Sequence, residues 1–559
     1  MPDTATASVG PMLLDQVRYA NRGFWRTPIA AFFTIVFPLS FLIILCTIYG
    51  NEVIDPDQGV RLAQYTTPAF AVFGVCMACM VSLALAVAYA RASGVLKRLH
   101  GTPLPPSMYI AGRLLAALWI SMIATVIMVG VGVTFYGVQI IWANVPALVL
   151  TFLVGVACFC AIGLAIAALA PTPSAAQAVS NGGLIILAMI SGVFGFAELP
   201  SWMEWIAKVF PLKHFVDPAA AGFNPYVDAS VPAWGDLAVM ALWGIAAAVV
   251  VSRTFRWEPA PDRGHAGRRA SGRRIPDDAQ PAVDGSAPGN HWAPAAPMSL
   301  TTPGRPGLPV LVGQQTRYAA LQVLRDPMSM FFAIAFPVAL VVLFSIMYGD
   351  EAEWGGLPLP QYLAAAFGIY GVATTAFVNL PGSIADQRAQ LVLKRMRGTP
   401  LPPLAYLSGR ALAAVVLGAV TVVLIFVVAV AFFPVTLPPS TWLATALVFV
   451  LAIVTFAACG LALVALVDGP QAVIAVALCV LLPLSFISDI FISTPTLPTV
   501  LNAIGWAFPL RHAVHAAVAA TSGAALDAAF WTDLGVLLLW TGIGLVLARR
   551  FFHWEPRSR

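Results

Sequence analysis

The chain has 559 residues, of which 60% are hydrophobic and only 10% charged, with a mean hydropathy of +0.86 and a formal net charge of +5. Soluble domains carry about a quarter of their residues as charged side chains, so this composition excludes one. The positive charge does not mark a nucleic-acid binder, because the cations cluster beside apolar runs, where the positive-inside rule accounts for them.

In chain order, Arg18, Arg22 and Arg26 recur at helical spacing beside Leu14, Tyr19 and Trp25. This predicts an amphipathic helix over 12–27 lying in the membrane interface, rather than a cleaved leader. Six apolar runs follow, near 29–50, 66–90, 109–136, 144–170, 179–197 and 234–252, each long enough to cross a bilayer as a helix. Period-two alternation is absent, which argues against a membrane barrel. The segment 198–233, with Trp202, Trp205, Phe210 and Phe215, is too apolar for a free loop and too broken for a span. It reads as short helices dipping into the outer leaflet, where protein covers their backbone.

Residues 258–310 are rich in Pro, Gly, Ala and Arg and read as a disordered cytoplasmic linker. Beyond them the pattern starts again, with a basic-apolar segment at 312–326 and apolar runs near 328–349, 362–385, 405–433, 440–467, 471–492 and 531–549. Phe37-Pro38 returns as Phe336-Pro337, and Phe210-Pro211-Leu212-Lys213-His214 as Phe508-Pro509-Leu510-Arg511-His512. The expected fold is therefore an all-α polytopic membrane protein of twelve transmembrane helices in two tandem six-helix bundles, residues 1–257 and 311–559. Lysine and arginine bias puts Arg18, Arg91, Lys97 and Arg253 on the cytoplasmic side, with both termini, and Glu52, Asp57 and Glu198 outside.

Catalytic chemistry is sparse. The four lysines, Lys97, Lys208, Lys213 and Lys394, are never followed by Ser or Thr, so no phosphate-binding loop is present, and no H-E-x-x-H occurs. No cofactor or metal site is expected. Cys76 and Cys79 form a C-x-x-C inside an apolar run without a second pair, which reads as packing. His214 and His512 read as satisfied or interfacial side chains, and Gln177, Asn181 and Asn379 as helix-packing groups ahead of path-lining ones. Asp386, Arg388 and Asp489 are the few charges at span ends. A self-sufficient secondary transporter would want ionisable groups near the midplane, and their scarcity makes it the alternative.

One loop stands apart. Val95-Leu96-Lys97-Arg98-Leu99-His100-Gly101-Thr102-Pro103-Leu104-Pro105-Pro106 returns 297 positions later as Val392-Leu393-Lys394-Arg395-Met396-Arg397-Gly398-Thr399-Pro400-Leu401-Pro402-Pro403, with ten of twelve residues the same. Gly101 and Gly398 would allow a sharp turn. Thr102 and Thr399 would cap a helix beginning at Pro103 or Pro400. The result is a rigid cationic elbow suited to docking a soluble motor. Arg91 and Arg388 precede it, and Gly112-Arg113 and Gly409-Arg410 open the next span.

This pattern, R-x-x-x-V-L-K-R-x-x-G-T-P-L-P followed by G-R-x-L, resembles the permeases of ABC-2 type exporters. Those include the daunorubicin-resistance class of drug exporter and the O-antigen and teichoic-acid exporters. The resemblance covers nearly all of both halves. It implies two permease units fused in one chain, in the plasma membrane of a prokaryote, exporting an amphipathic drug, antibiotic or lipid-like substrate. It also implies a separate ATP-binding subunit, in two copies, that holds the ATP. The chain would then be a transport subunit without its own ATPase site. The coupling residues would be Arg91, Leu96, Lys97, Arg98, Gly101, Thr102 and Pro103, with Arg388, Leu393, Lys394, Arg395, Gly398, Thr399 and Pro400. The family often has a glutamate after the motif's arginine; here Ala92 and Ala389 stand there, so no role for that carboxylate carries over.

Overall fold

Apolar segments with no water to satisfy their backbone must bond internally, and in this chain they do so as helices. The computed structural model describes residues 9–48, 51, 53–55, 60–102, 104–194, 200–255, 307–349, 353–399, 401–491, 497–553 and 555. Residues 258–306 of the expected linker, and Pro103 and Pro400 of the elbows, lie outside the described residues. Twelve described helices are long and apolar enough to cross a membrane, making this an all-α, multi-pass integral membrane protein.

In the first half, the amphipathic helix α1 (Val9–Trp25) precedes the spans α2 (Pro28–Thr47) and α3 (Leu62–Ala92). The short helix α4 (Val95–His100) then turns the chain into α5 (Ser107–Tyr136), α6 (Trp142–Leu169) and α7 (Pro173–Ile190). Two short helices, α8 (Ser201–Val209) and α9 (Lys213–Phe223), lead to the last span, α10 (Trp234–Thr254). The second half repeats this order. It runs α11 (Leu308–Arg325), α12 (Phe331–Tyr348), α13 (Leu359–Ala389), α14 (Val392–Arg397), α15 (Leu404–Phe432), α16 (Pro439–Leu466), α17 (Pro470–Ile487), α18 (Thr499–Ala507), α19 (Pro509–Ser522) and α20 (Ala528–Phe551).

The fifth span differs most from its expected bounds of 179–197. It starts at Pro173, where the Thr172 hydroxyl accepts from Ala175 N at 3.1 Å. That cap, and the proline at the first helical position, start the helix ahead of the apolar run. Two small antiparallel hairpins were not expected: β1 (Val53–Asp55) with β2 (Val60–Arg61), and β3 (Glu353–Trp354) with β4 (Leu357–Pro358). They are too short to show alternation in the sequence.

Each half is built around its second span. The apolar windows of α3 and α13 are 83% and 89% buried, against 17% and 28% for the last spans. Helix α6 approaches α3 so closely that a Cβ on Gly163 would stand 2.6 Å from Cys79 O, and on Gly460 of α16 one would stand 2.5 Å from Ala376 O of α13. Only glycine admits that spacing. The carbonyls met there belong to π-helical turns, Met77–Ser82 and Thr374–Asn379, and the first spans carry π-turns too, at Phe32–Val36 and Phe331–Ala335. Such turns are rare and recur at functional positions. The halves meet along a seam where α2 packs on α17 and the turn Pro327–Met330 before α12 packs on α7.

Candidate functional site: the seam cavity and its elbows

Between the halves lies a cavity of about 1160 Å³, walled by first, second and fifth spans of both. All four π-turns contribute, through Phe33, Met77, Phe332 and Thr374 among others. Gln177, Asn181 and Asn379, read from the sequence as helix-packing groups ahead of path-lining ones, all line it. At the elbow end the lining includes Tyr89, Asp326 and Asp386; Glu204 and Lys213 mark the far end.

Towards that far end, aromatic rings close the space across the seam. Phe41 of α2 meets Phe486 of α17 edge to face, centroids 4.2 Å apart, and Phe486 stacks on Phe491 at 4.8 Å. Phe70 and Phe194 lie 5.5 and 5.3 Å from Phe41, and Phe367 and Tyr370 lie 5.6 and 5.5 Å from Phe491. Each such pair adds about 0.5–1.5 kcal/mol beyond burial, so the pinch is cohesive yet made of separable contacts. The sequence showed apolar aromatic residues here but nothing to say that Phe41 and Phe486, 445 positions apart, would touch.

The elbows sit at the opposite end. Lys97 and Arg98, with Lys394 and Arg395, are exposed, as are Gly101, Thr102, Gly398 and Thr399. Lys394 and Arg397 approach Glu555 at 3.8 and 3.7 Å. Other expected coupling residues are inside. Leu96 and Leu393 are fully buried, and Arg91 and Arg388 are only 7% and 4% exposed. Arg91 donates to Ala168 O at 3.3 Å and to Ala170 O; Arg388 donates to Val464 O at 2.8 Å and stands 3.6 Å from Asp468. Each guanidinium thus meets the carboxyl end of the fourth span, where helix carbonyls concentrate negative charge. These arginines pin the base of each elbow to α6 or α16.

The elbow turn itself differs from expectation. Gly101 and Gly398 have φ of −84° and −77°, open to any residue; the left-handed positions are Gly94 (φ 71°) and Leu391 (φ 58°). Thr102 and Thr399 cap no following helix. Their hydroxyls donate backwards to Leu99 O and Met396 O, both at 2.6 Å, and the next helices, α5 and α15, begin only at Ser107 and Leu404. Prolines stand at two of the three positions after each threonine, which keeps the chain extended, and each hydroxyl turns to the helix behind it.

At the far end, His214 Nδ1 meets Asp236 at 2.6 Å and Nε2 meets Lys208 O at 2.7 Å; His512 pairs likewise with Asp533 at 2.6 Å and Trp506 O at 2.9 Å. The satisfied reading of both histidines holds, and their carboxylate partners on α10 and α20 escaped the sequence reading. Their signal was available, since Asp236 and Asp533 share the repeat offset. Among the described residues no group of three or more His, Cys, Asp or Glu could hold a metal. No curated protein matches the chain. A family profile described as ABC-2 type transporter matches it twice, over residues 17–223 and 312–521.

Proposed function

This chain belongs to the ABC-2 type transporter family, and we propose that it is the membrane-spanning half of an ATP-driven exporter, two permease units fused in one chain. The family supplies the membrane component of transport and usually works with an ATP-binding subunit. On this reading two copies of such a subunit bind the ATP and dock on the two elbows, on the cytoplasmic side of a prokaryotic plasma membrane. The observation that carries the reading is the cavity itself: it lies on the seam between equivalent halves and is pinched by ring contacts that cross that seam.

The mechanism follows from the geometry. Closure of the ATPase pair pushes on α4 and α14. Arg91 and Arg388 pass the push to the fourth spans, and α3 and α13, packed on them through Gly163 and Gly460, move with them. The halves rock, Phe41 parts from Phe486, and an amphipathic drug, antibiotic or lipid-like molecule held between the halves is released outward. No residue of this chain is asked to hydrolyse a nucleotide.

Reconstitution tests this. The chain together with its ATP-binding subunit should move a lipophilic fluorescent probe in proteoliposomes only when ATP is present. Transport by the chain alone on a proton or sodium gradient would replace the exporter with a self-sufficient secondary transporter.

A further inference from the structure

The cavity is chemically lopsided. Its walls are mostly aromatic and aliphatic, yet its elbow end carries two carboxylates, Asp326 and Asp386, both from the second half. At the equivalent positions the first half has Thr27 and Tyr89. Asp326 and Asp386 stand within electrostatic reach of each other, and Tyr89, reaching in from the other half, is within reach of both. Asp326 accepts from Ser329 N at 3.2 Å and from its hydroxyl at 2.6 Å, which places the carboxylate without neutralising it. Among the described residues Asp386 makes no ion pair.

The other charges on the wall are accounted for. Lys213 is 3.1 Å from Asp217 and Glu204 is 2.8 Å from Lys208, both at the far end, and the Arg113 guanidinium lies 5.3 Å from the Tyr109 ring centroid on the first half. A second observation is independent of the carboxylates. Thr374 lines the same cavity, is 3% exposed, and its Oγ1 has no hydrogen-bond partner among the described residues; nor has Asn379 Nδ2. Other buried hydroxyls, such as Thr375 and Ser488, also have no partner among the described residues, but Thr374 and Asn379 border the cavity, where a bound molecule can supply the bond.

We propose that the seam cavity selects a cationic amphiphile. Its positive head sits between Asp326 and Asp386 against the face of Tyr89, an acceptor atom meets Thr374 or Asn379, and its apolar body lies along the aromatic wall. A cation relieves the repulsion between two unpaired carboxylates and gains the attraction of the ring. An anion of the same shape is repelled by both carboxylates and meets one guanidinium, Arg113, on the first half's side of the wall, so charge separates the two. The inference rests on the exporter reading and goes beyond it by naming the charge class of the cargo.

Tetraphenylphosphonium and tetraphenylborate have nearly the same size and opposite charge, which makes them the probes. Equilibrium dialysis of each against the full chain in lipid nanodiscs, without nucleotide and with binding to empty nanodiscs subtracted, reads the preference directly. The cation should bind about tenfold tighter than the anion, a difference of about 1.4 kcal/mol. In Asp326→Asn/Asp386→Asn, cation affinity should fall about tenfold and anion affinity should rise, whereas Asp386→Glu should keep the preference. If the double variant does not fold, Asp386→Asn alone should lower the ratio at least threefold. Equal affinities in the wild type, or a preference that survives removal of the carboxylates, would overturn the proposal and leave ATP-dependent export standing. Ala86→Trp, which fills the elbow end of the cavity, should weaken both ions. If both bind undiminished there, the ions sit elsewhere, and the cation proposal and the path reading fall together.

Discussion

In the second half, Gln322 of α11, Gln387 of α13, and Tyr406 and Arg410 of α15 form one polar network. Tyr406 donates to Gln387 Oε1 at 2.7 Å, Gln387 Nε2 donates to Gln322 Oε1 at 3.0 Å, and Arg410 Nη1 donates to the same oxygen at 3.0 Å. In the first half Gly23 and Ala90 stand where Gln322 and Gln387 would, so the network cannot form. Arg113, the counterpart of buried Arg410, lines the cavity instead. Yet the glycines that set helix spacing match between halves. Gly112 and Gly409 each bring the amphipathic helix against Gln16 or Gln315, and Gly163 and Gly460 each seat the fourth span on the second. The glycines that space the backbone are shared by the two copies, and this polar network and the charged cavity residues are not. A change to the first kind should therefore cost the same in either half, and a change to the second kind should not.

The largest effect should come from the elbows, which both copies share. Reversing Lys97-Arg98 and Lys394-Arg395 together to glutamates should abolish capture of the ATP-binding subunit and its stimulated turnover. One exposed ion pair contributes only about 0.2–1 kcal/mol, so reversal in a single half should leave partial activity. Pull-down and ATPase assays on the three variants measure this, and full activity of the double reversal would remove the elbows as the docking site.

Next, Gly163→Ala and Gly460→Ala each drive a methyl into a backbone carbonyl that cannot retreat. Both should destabilise the protein by about 1–3 kcal/mol and by similar amounts, read as thermal midpoints in detergent. A large difference between them would break the claim that the scaffold is equivalent.

The seam predicts the opposite. Gln322→Leu takes the acceptor from buried Arg410 and the partner from Gln387, and should cost about 1–3 kcal/mol. At the equivalent position Gly23→Ala meets no atom within 4 Å and should change stability by no more than about 1 kcal/mol, in the stabilising direction. Equal costs would show that the network is ornamental.

The smallest effect is a pH dependence confined to one far end. Burial pulls the His512 imidazole down, but the Asp533 hydrogen bond and charge and the Trp506 carbonyl outweigh it and leave it above its ordinary value. His515 is raised chiefly by its own hydrogen bond to Asp533. Groups raised in the folded state contribute fully below the ordinary histidine pKa of about 6.5, and the contribution fades as pH rises through the raised values. His515 is about half exposed, so solvent screening keeps its share below about 1 kcal/mol. Hydrogen exchange in α19 should accelerate with pH beyond its intrinsic rise, and His515→Asn should flatten that trend. In α9, where Asp217 occupies the position of His515, no such second histidine exists to lose.

The span count, the duplication, the amphipathic helices and the position of the elbows, though not their turn geometry, were legible in the chain, because each rests on local properties: run length, charge beside apolar runs, and repeated strings. Even the fifth span's early start was written in Thr172 and Pro173. What the chain alone could not reveal depends on which helix faces which. Hydropathy does not separate a lipid-facing phenylalanine from one at a seam, so Phe41 against Phe486 needed the packed halves. Arg91 and Arg388 looked like part of a cationic surface, and only the approach of the fourth span turned them inward to its carbonyls. Asp326, in the break after α11, and Asp386, on α13, lie 60 positions apart, and only the fold sets them at one mouth of one cavity. Backbone bonding in a bilayer is satisfied within each helix, so sequence alone determines the helices. Their faces are chosen by close packing between helices, which depends on shape across the whole assembly and was decided only in three dimensions.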